Sequence, residues 1–367
     1  MRADARTPRW ESAFQSLECN GMNIRTLHIT NAYPCEGTPE YGVFVKEQIE
    51  SLPDTVHSTV VFINGREQGK KAYLSAIRTI RGKLGECDVV HCHHAYSLFV
   101  AALAGVPGRK PIVLSFLNDW THEVKGLRVG WLKRMACRIA VSLASRVIFK
   151  SPVPAELAGN GKVLNLPNGV DADFFSLGDR AAAKAELGLA ADVDYLLFVS
   201  SKNKFREQKR YDIFSKVIEQ VRLGNPHLKI EELVMVGQQR QTVPLMFAAA
   251  SVHVLTSDYE GSPNSVKESL SCGTPVVARD VGNVRDMLTH VPGSAVVADS
   301  DPAVIAHAVT SVLSQRAAAE HTRAAFLATG ITRQVIAQRL AGIYTELAGA
   351  GRAPPVQGRT SVPGKAP

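Results

Sequence analysis

No window of this 367-residue chain holds about 20 apolar residues free of charge, which excludes a membrane-spanning helix. The nearest candidate, residues 89–108, carries His91, His93 and His94 near its start. Cysteine is sparse and unpatterned. Cys19, Cys35, Cys87, Cys92, Cys137 and Cys272 form no C-x-x-C pair and no zinc spacing, so a disulfide framework and a zinc module are excluded. Free thiols in a reducing compartment are the expectation. The start lacks the basic-then-apolar order of a secretory signal, since Arg2, Arg6 and Arg9 lead only to Glu11, Gln15 and Glu18. A cytoplasmic location is expected. Aromatic residues make up only 7%, there is no fold-wide repeat, and no nucleic-acid-binding motif is visible.

What is present is a globular composition, 45% hydrophobic and 21% charged, rich in Val, Ile, Leu and Ala and long enough for two cores. The net charge of +8 is unevenly distributed. Residues 22–170 hold 18 basic and 11 acidic side chains, whereas residues 171–349 hold 18 and 20. A basic first half suits a phosphorylated ligand or an anionic membrane face.

Residues 1–21 show no period of either kind and read as a disordered extension without function. Residues 349–367, rich in Pro, Gly and Ala, read as a disordered tail. Between them, short apolar runs at 25–30, 57–63, 88–91, 111–116, 145–149 and 162–166 alternate with helical stretches at 43–51, 70–84, 95–105, 126–143 and 153–158. After Pro167-Asn168-Gly169-Val170-Asp171 the alternation restarts, with strands at 195–199, 232–236, 252–255, 275–278 and 294–297. Helices are expected there at 210–222, 264–272, 302–314 and 331–348. The pattern predicts an α/β protein of two doubly wound parallel-sheet domains, 22–170 and 171–348, with ligands at the strand ends between them.

The sharpest local feature runs from Asp258 to Val277. It follows the strand Val252-His253-Val254-Leu255; Ser262 is placed to cap the next helix, and Pro263 suits its first position. Backbone N–H groups at such a helix start can hold a phosphate, with Glu260 and Glu268 meeting different parts of one elongated ligand. The same residues also describe an ordinary capped helix with a solvated glutamate, and by themselves they leave both readings open.

Glu260 and Glu268, separated by seven residues, resemble the E-x7-E signature of the retaining glycosyltransferases of group 1, family 4, which have the GT-B fold. Gly273-Thr274-Pro275-Val276-Val277, Gly282-Asn283-Val284-Arg285-Asp286, the Pro167–Asp171 segment and Asp88-Val89-Val90-His91 extend the resemblance over residues 22–348. It implies two Rossmann-like lobes, an acceptor-side first lobe, a nucleotide-sugar-binding second lobe, and a last helix returning to the first. It implies Glu260 beside the donor sugar, Glu268 on the ribose, and contacts from Gly261, Ser262, Asn264 and Ser265 to sugar and diphosphate. Arg206 and Lys209 match the family's diphosphate-binding pair, a cationic arrangement that replaces a metal, so neither metal nor cofactor is expected. The exit of the first strand, from Tyr33-Pro34 through Gly37 to Tyr41-Gly42-Val43-Phe44-Val45-Lys46-Glu47-Gln48, resembles the acceptor-side loop, with Gly42 approaching the donor phosphate.

Two departures stand out. The family's histidine at the end of the fourth strand is Leu117 here, followed by Asn118-Asp119; Asp119 and His93 are the acceptor-side candidates, with a structural role for His91, His93 and His94 equally open. The segment between Gly237 and Val243-Pro244 is short, so base preference does not carry over. Around 126–143, Val129, Leu132, Met135 or Ala136, Ile139 and Leu143 form one stripe, with Lys125, Arg128, Lys133, Arg134 and Arg138 elsewhere. Either a sheet-covering helix with a solvated face or a docking element for an anionic membrane fits. The expected function is sugar transfer from a nucleotide sugar to an oligosaccharide or a polyprenyl-diphosphate-linked glycan at the cytoplasmic membrane face, in surface-polysaccharide assembly. A hydrolysing epimerase of the same fold and a non-catalytic binder are the alternatives.

Overall fold

Runs such as Ile24–Thr30, buried at every position but Arg25, and Val252–Leu255, buried throughout, are strands covered on both sides rather than half-solvated ones. The computed structural model describes residues 23–38, 41–117, 130–201 and 203–350. In it these runs form two all-parallel sheets. The first sheet has six strands: β1 (Ile24–Thr30), β2 (Val56–Phe62), β3 (Val89–Cys92), β4 (Ile112–Phe116), β5 (Arg146–Phe149) and β6 (Val163–Asn165), in the order β2-β1-β3-β4-β5-β6. The second has five: β7 (Asp194–Ser200), β8 (Ile230–Val236), β9 (Val252–Leu255), β10 (Val276–Arg279) and β11 (Ala295–Val297), in the order β11-β10-β9-β7-β8.

Helices α1 (Val43–Glu50), α2 (Gly65–Gln68), α3 (Lys70–Lys83), α4 (Ala95–Leu103) and α5 (Gly130–Leu143) belong to the first lobe. The second lobe carries α6 (Arg180–Glu186), α7 (Tyr211–Gly224), α8 (Val243–Ala249), α9 (Asn264–Ser271), α10 (Val284–Leu288), α11 (Pro302–Gln315) and α12 (Ala319–Leu327). The last helix, α13 (Arg333–Ala350), leaves it. Ile336, Leu340, Ile343, Tyr344 and Leu347 of α13 are buried with Ile24, Val89, Val113 and Ile148 of the first sheet. Each such large side chain contributes about 1.5–3 kcal/mol by its burial. The other face of that sheet is covered by α3, α4 and α5, whose Ala76, Ile80, Leu98, Ala101, Cys137 and Ala140 share one core with β1, β3, β4 and β5.

Two expectations change. The stretch 153–158 makes only a 3-10 turn, Ala155–Leu157, because Pro152 and Pro154 remove backbone donors just ahead of it. The expected stripe in α5 is split: Ala136 and Leu143 pack on the core, Met135 and Ile139 are exposed, and Val129 lies outside the described residues. Cys137, Ala140 and Val141 are the buried residues of the helix, and Trp131 is exposed. Small side chains let this helix lie close on the sheet, and the large ones are left outside.

Candidate active site

The strands β7 and β9 are hydrogen-bonded neighbours, so the loops leaving their carboxyl ends emerge side by side. Three contacts tie those loops together. Gln208 Nε2 donates to the Tyr259 carbonyl at 2.7 Å, the Asp258 N–H donates to the Gln208 carbonyl at 2.9 Å, and Thr256 Oγ1 donates to the Lys209 carbonyl at 2.8 Å. The result is that Lys209 Nζ sits 2.7 Å from Glu260 Oε1, both side chains only 13–14% exposed. Arg206 donates from Nη1 to Ser201 Oγ at 3.0 Å and from Nη2 to Gln208 Oε1 at 2.9 Å. Neighbouring Arg210 is committed elsewhere, to Asp212 at 2.9 Å and Asp258 at 3.1 Å.

The Glu260 loop is braced from behind by the Gly282-Asn283 turn. Asn283 N–H donates to the Gly261 carbonyl at 3.2 Å. At Gly282, with φ of +58°, a Cβ would lie 2.1 Å from that carbonyl oxygen, so only glycine fits. Pro263 occupies the N-cap of α9, and no side chain caps this helix. The expectation that Ser262 caps it is corrected: the Ser262 hydroxyl accepts instead from Lys267 Nζ at 3.1 Å, which also donates to the Asn168 carbonyl at 2.8 Å. The first N–H groups of α9 are therefore without a side-chain acceptor and face the strand-end space.

Two cavities meet here. One of 630 Å³ lies in the second lobe, with Arg206, Lys209, Arg240, Glu260, Ser265 and Glu268 in its wall. The other, of 810 Å³, is walled by both lobes: Gly42, Tyr41, Arg66, His94, Tyr96 and Leu117 on one side, Gly261 and Ser262 on the other. Glu260, Asn264, Glu268 and Arg240 belong to both. Such an arrangement has room for an elongated anionic ligand in the second lobe with one end at Glu260, beside the space between the lobes where a second ligand can enter.

Comparison with known families decides the lineage. The model described as "Glycosyltransferase Family 4" matches residues 21–174, and the one described as "Glycosyl transferases group 1" matches residues 193–315, so the two lobes are matched in turn. The chain belongs to the family 4 glycosyltransferases. This family 4 chain is 27% identical over 275 residues to the D-inositol 3-phosphate glycosyltransferase of Geodermatophilus obscurus, across 63% of the chain and 60% of that relative's length. It is 25% identical to the alpha-maltose-1-phosphate synthase of Mycobacterium tuberculosis over 361 residues, 81% of the chain and 92% of the relative. Among solved structures, sucrose-phosphate synthase from Thermosynechococcus elongatus superposes with a TM-score of 0.70 at 16% identity, covering 89% of this chain and 100% of that one. HepE of Anabaena, in complex with UDP and glucose, superposes with 0.63 at 15% identity over 88% and 100%. These likenesses fix the GT-B fold.

Of the residues singled out in the sequence, the structure brings Gly42, Arg206, Lys209, Glu260, Gly261, Ser262, Asn264, Ser265 and Glu268 to the walls of the two cavities. Asp119 lies outside the described residues. His93 is placed differently from its expected acceptor-side position: it is fully buried, its Nε2 2.9 Å from His28 Nδ1. Its neighbour His94 lines the cleft instead. Alternation along β3 into the following turn sends His91 and His93 under the sheet, where His91 Nδ1 lies 2.6 Å from the Tyr344 hydroxyl of α13 and Nε2 lies 2.8 Å from Ser115 Oγ. Burial holds His28, at about 3, as well as His91 and His93, well below the ordinary histidine range, so this cluster is a neutral hydrogen-bonded strap for α13. His28, His91 and His93 also form the group of metal-capable side chains found among the described residues, and none of the three lines either cleft cavity.

One residue of the site, Arg240, is not signalled by any motif, and neither is its pairing with Glu47. Arg240 follows β8, its guanidinium stacked 5.0 Å above the Phe174 ring, and pairs across the cleft with Glu47 Oε1 of α1 at 2.5 Å. Glu47 Oε2 is 3.3 Å from Arg333, which in turn holds Asp171 at 2.8 Å. The clue to Arg240 was positional: it stands just past the carboxyl end of a strand in a shortened loop. Burial raises the Glu268 carboxyl to about 7; Lys267 and Arg240 oppose that rise and Glu47 adds to it.

Proposed function

We propose that the cleft transfers a sugar, with retention of configuration, from a nucleotide-sugar donor in the 630 Å³ cavity to a phosphate-bearing acceptor in the space between the lobes. The observation that carries this reading is the Lys209–Glu260 pair at the seam of the two cavities. In the reaction, the bond from the sugar C1 to the diphosphate oxygen breaks, one from C1 to an acceptor hydroxyl oxygen forms, and the hydroxyl proton passes to the departing diphosphate. Charge grows on the diphosphate and, with opposite sign, on the ring. Lys209, Arg206 and the open N–H groups of α9 answer the first; the Glu260 carboxylate answers the second. Glu268, deeper in the donor cavity, accepts from the ribose hydroxyls. Because the cations are part of the chain, activity should survive EDTA.

The acceptor in this reading is a glycan on polyprenyl diphosphate, used in surface-polysaccharide assembly at the membrane face. The basic first half supports it, as does Arg66, whose guanidinium lies 3.6 Å from the centre of the Tyr41 ring in the cleft wall. The names of the relatives point to phosphorylated sugars as a second class, which the same cations suit. The test measures release of nucleoside diphosphate from UDP-, GDP- and ADP-sugars, with and without each acceptor class. Release that requires acceptor is expected. An epimerised sugar without acceptor would indicate a hydrolysing epimerase, and no turnover with any donor a binding protein.

A pH dependence follows from Glu268. Ribose hydroxyls are better held by a carboxylate than by a carboxylic acid, and this carboxyl titrates at about 7. The donor KM should therefore rise as pH falls from 8 to 6, while the nucleotide-sugar diphosphate keeps its charge throughout. Glu268→Gln should raise donor KM about tenfold and flatten that profile. A KM in the variant that still follows pH would assign the titration elsewhere.

A further inference from the structure

The layer of helices on the outer side of the first sheet carries charge of one sign only. The segments α3, α4 and α5 contain Lys70, Lys71, Arg78, Arg81, Lys83, Lys133, Arg134 and Arg138 and not one Asp or Glu. The carboxylates flanking α3 are Glu67 in α2, three residues before Lys70, and Glu86 in the turn after α3, which reaches Lys83 at 3.9 Å. Large apolar side chains stand among these cations. Leu74 is 71% exposed, Leu103 66% and Trp131 61%, with Met135 and Ile139 following Trp131 at successive turns of α5. The three helices are contiguous, α3 packing on α4 and α4 on α5.

We infer that this face docks on an anionic lipid surface. Lys83 aside, these cations have no salt-bridge partner among the described residues, which suits phosphate headgroups, and a Trp-Met-Ile stripe at i, i+4, i+8 suits the headgroup–acyl boundary. A nucleic-acid surface would match the cations and leave the aliphatic stripe unexplained. The orientation is also informative. Each crossover helix runs antiparallel to the strands, so the first turns of α3 and α5, with Leu74 and Trp131, stand level with the strand ends that open on the cleft. Docking through this face sets the rim of the 810 Å³ cavity beside the bilayer, where a lipid-linked acceptor lies. The inference deepens the acceptor reading given above and rests on it for its purpose.

The test is co-sedimentation of the full chain with phosphatidylcholine vesicles, with and without about one-third phosphatidylglycerol, at low and raised salt. Binding at least about tenfold tighter to the anionic vesicles, weakened by salt, is expected. The double variant Arg134→Gln/Arg138→Gln should lose about thirtyfold. Trp131→Ser/Ile139→Ser should lose binding that salt does not restore. Donor affinity, read by thermal shift with UDP-, GDP- and ADP-sugars, should be unchanged in both, since neither pair touches the donor cavity. Equal binding to neutral and anionic vesicles, none to either, or tighter binding to a short duplex DNA than to anionic vesicles would overturn the docking surface. Loss of nucleotide-sugar turnover in otherwise membrane-bound protein would count against the reaction and leave the surface standing.

Discussion

Lys209→Ala should lower turnover by about two to three orders of magnitude, with a donor KM that changes far less. In the proposed reaction Lys209 is one of the two cations that meet the diphosphate, and the demand for charge there is greatest as the C1–O bond breaks. It also holds Glu260 at 2.7 Å, so removing it frees the carboxylate that should face the ring. Glu260→Gln should therefore fall in turnover too, and the double variant should lose less than the sum of the two, because each single change already dismantles the pair. Stopped-flow or steady-state release of nucleoside diphosphate measures all three. Fully additive losses would mean that the two residues act separately.

Gly42→Ala should cost about 2–4 kcal/mol of stability and most of the activity. Gly42 sits at the start of α1 with φ of +77°, where an L side chain is strained. Its Cβ would lie 2.3 Å from the Ala32 carbonyl carbon and oxygen and 2.5 Å from the Tyr33 nitrogen. These are backbone atoms, so no rotamer change relieves the clash. The loop from β1 to α1 has to move, and with it the cleft wall that carries Tyr41, Gly42 and Val43. Chemical denaturation and turnover should both report the change. Wild-type stability with wild-type turnover would show that the loop yields freely and that its close approach is incidental.

What could be read from the sequence was what lies close together along the chain. The central strands β3, β4 and β9 are short runs buried on both sides, so their hydrophobicity is visible without knowing their partners. Glu260, Gly261, Ser262, Asn264, Ser265 and Glu268 fall in one loop and the first turns of one helix, and the fold needs only to present them. Arg206 and Lys209 occupy the equivalent position after β7. The Arg240–Glu47 pair has no such signature, because it joins two lobes through residues remote in sequence. The histidines misled for a related reason. A histidine near a strand end is compatible with cleft or core, and only the placement of His28 and Tyr344 settles His93 in the core and His94 in the cleft. In α5 the apolar stripe was visible but its direction was not: hydrophobicity favours burying Met135 and Ile139, whereas close helix–sheet approach favours Cys137 and Ala140.

The central claim, that Arg206 and Lys209 form the seat of a nucleoside diphosphate, is tested most directly by calorimetric titration of UDP, GDP and ADP into the intact chain and into Arg206→Ala/Lys209→Ala. Each lost cation removes charge-assisted hydrogen bonds of about 1.5–3 kcal/mol. The account predicts that at least one nucleotide binds the intact chain and binds the double variant at least about a hundredfold more weakly. A nucleotide that binds both proteins equally would contradict it, as would an intact chain that binds none of the three.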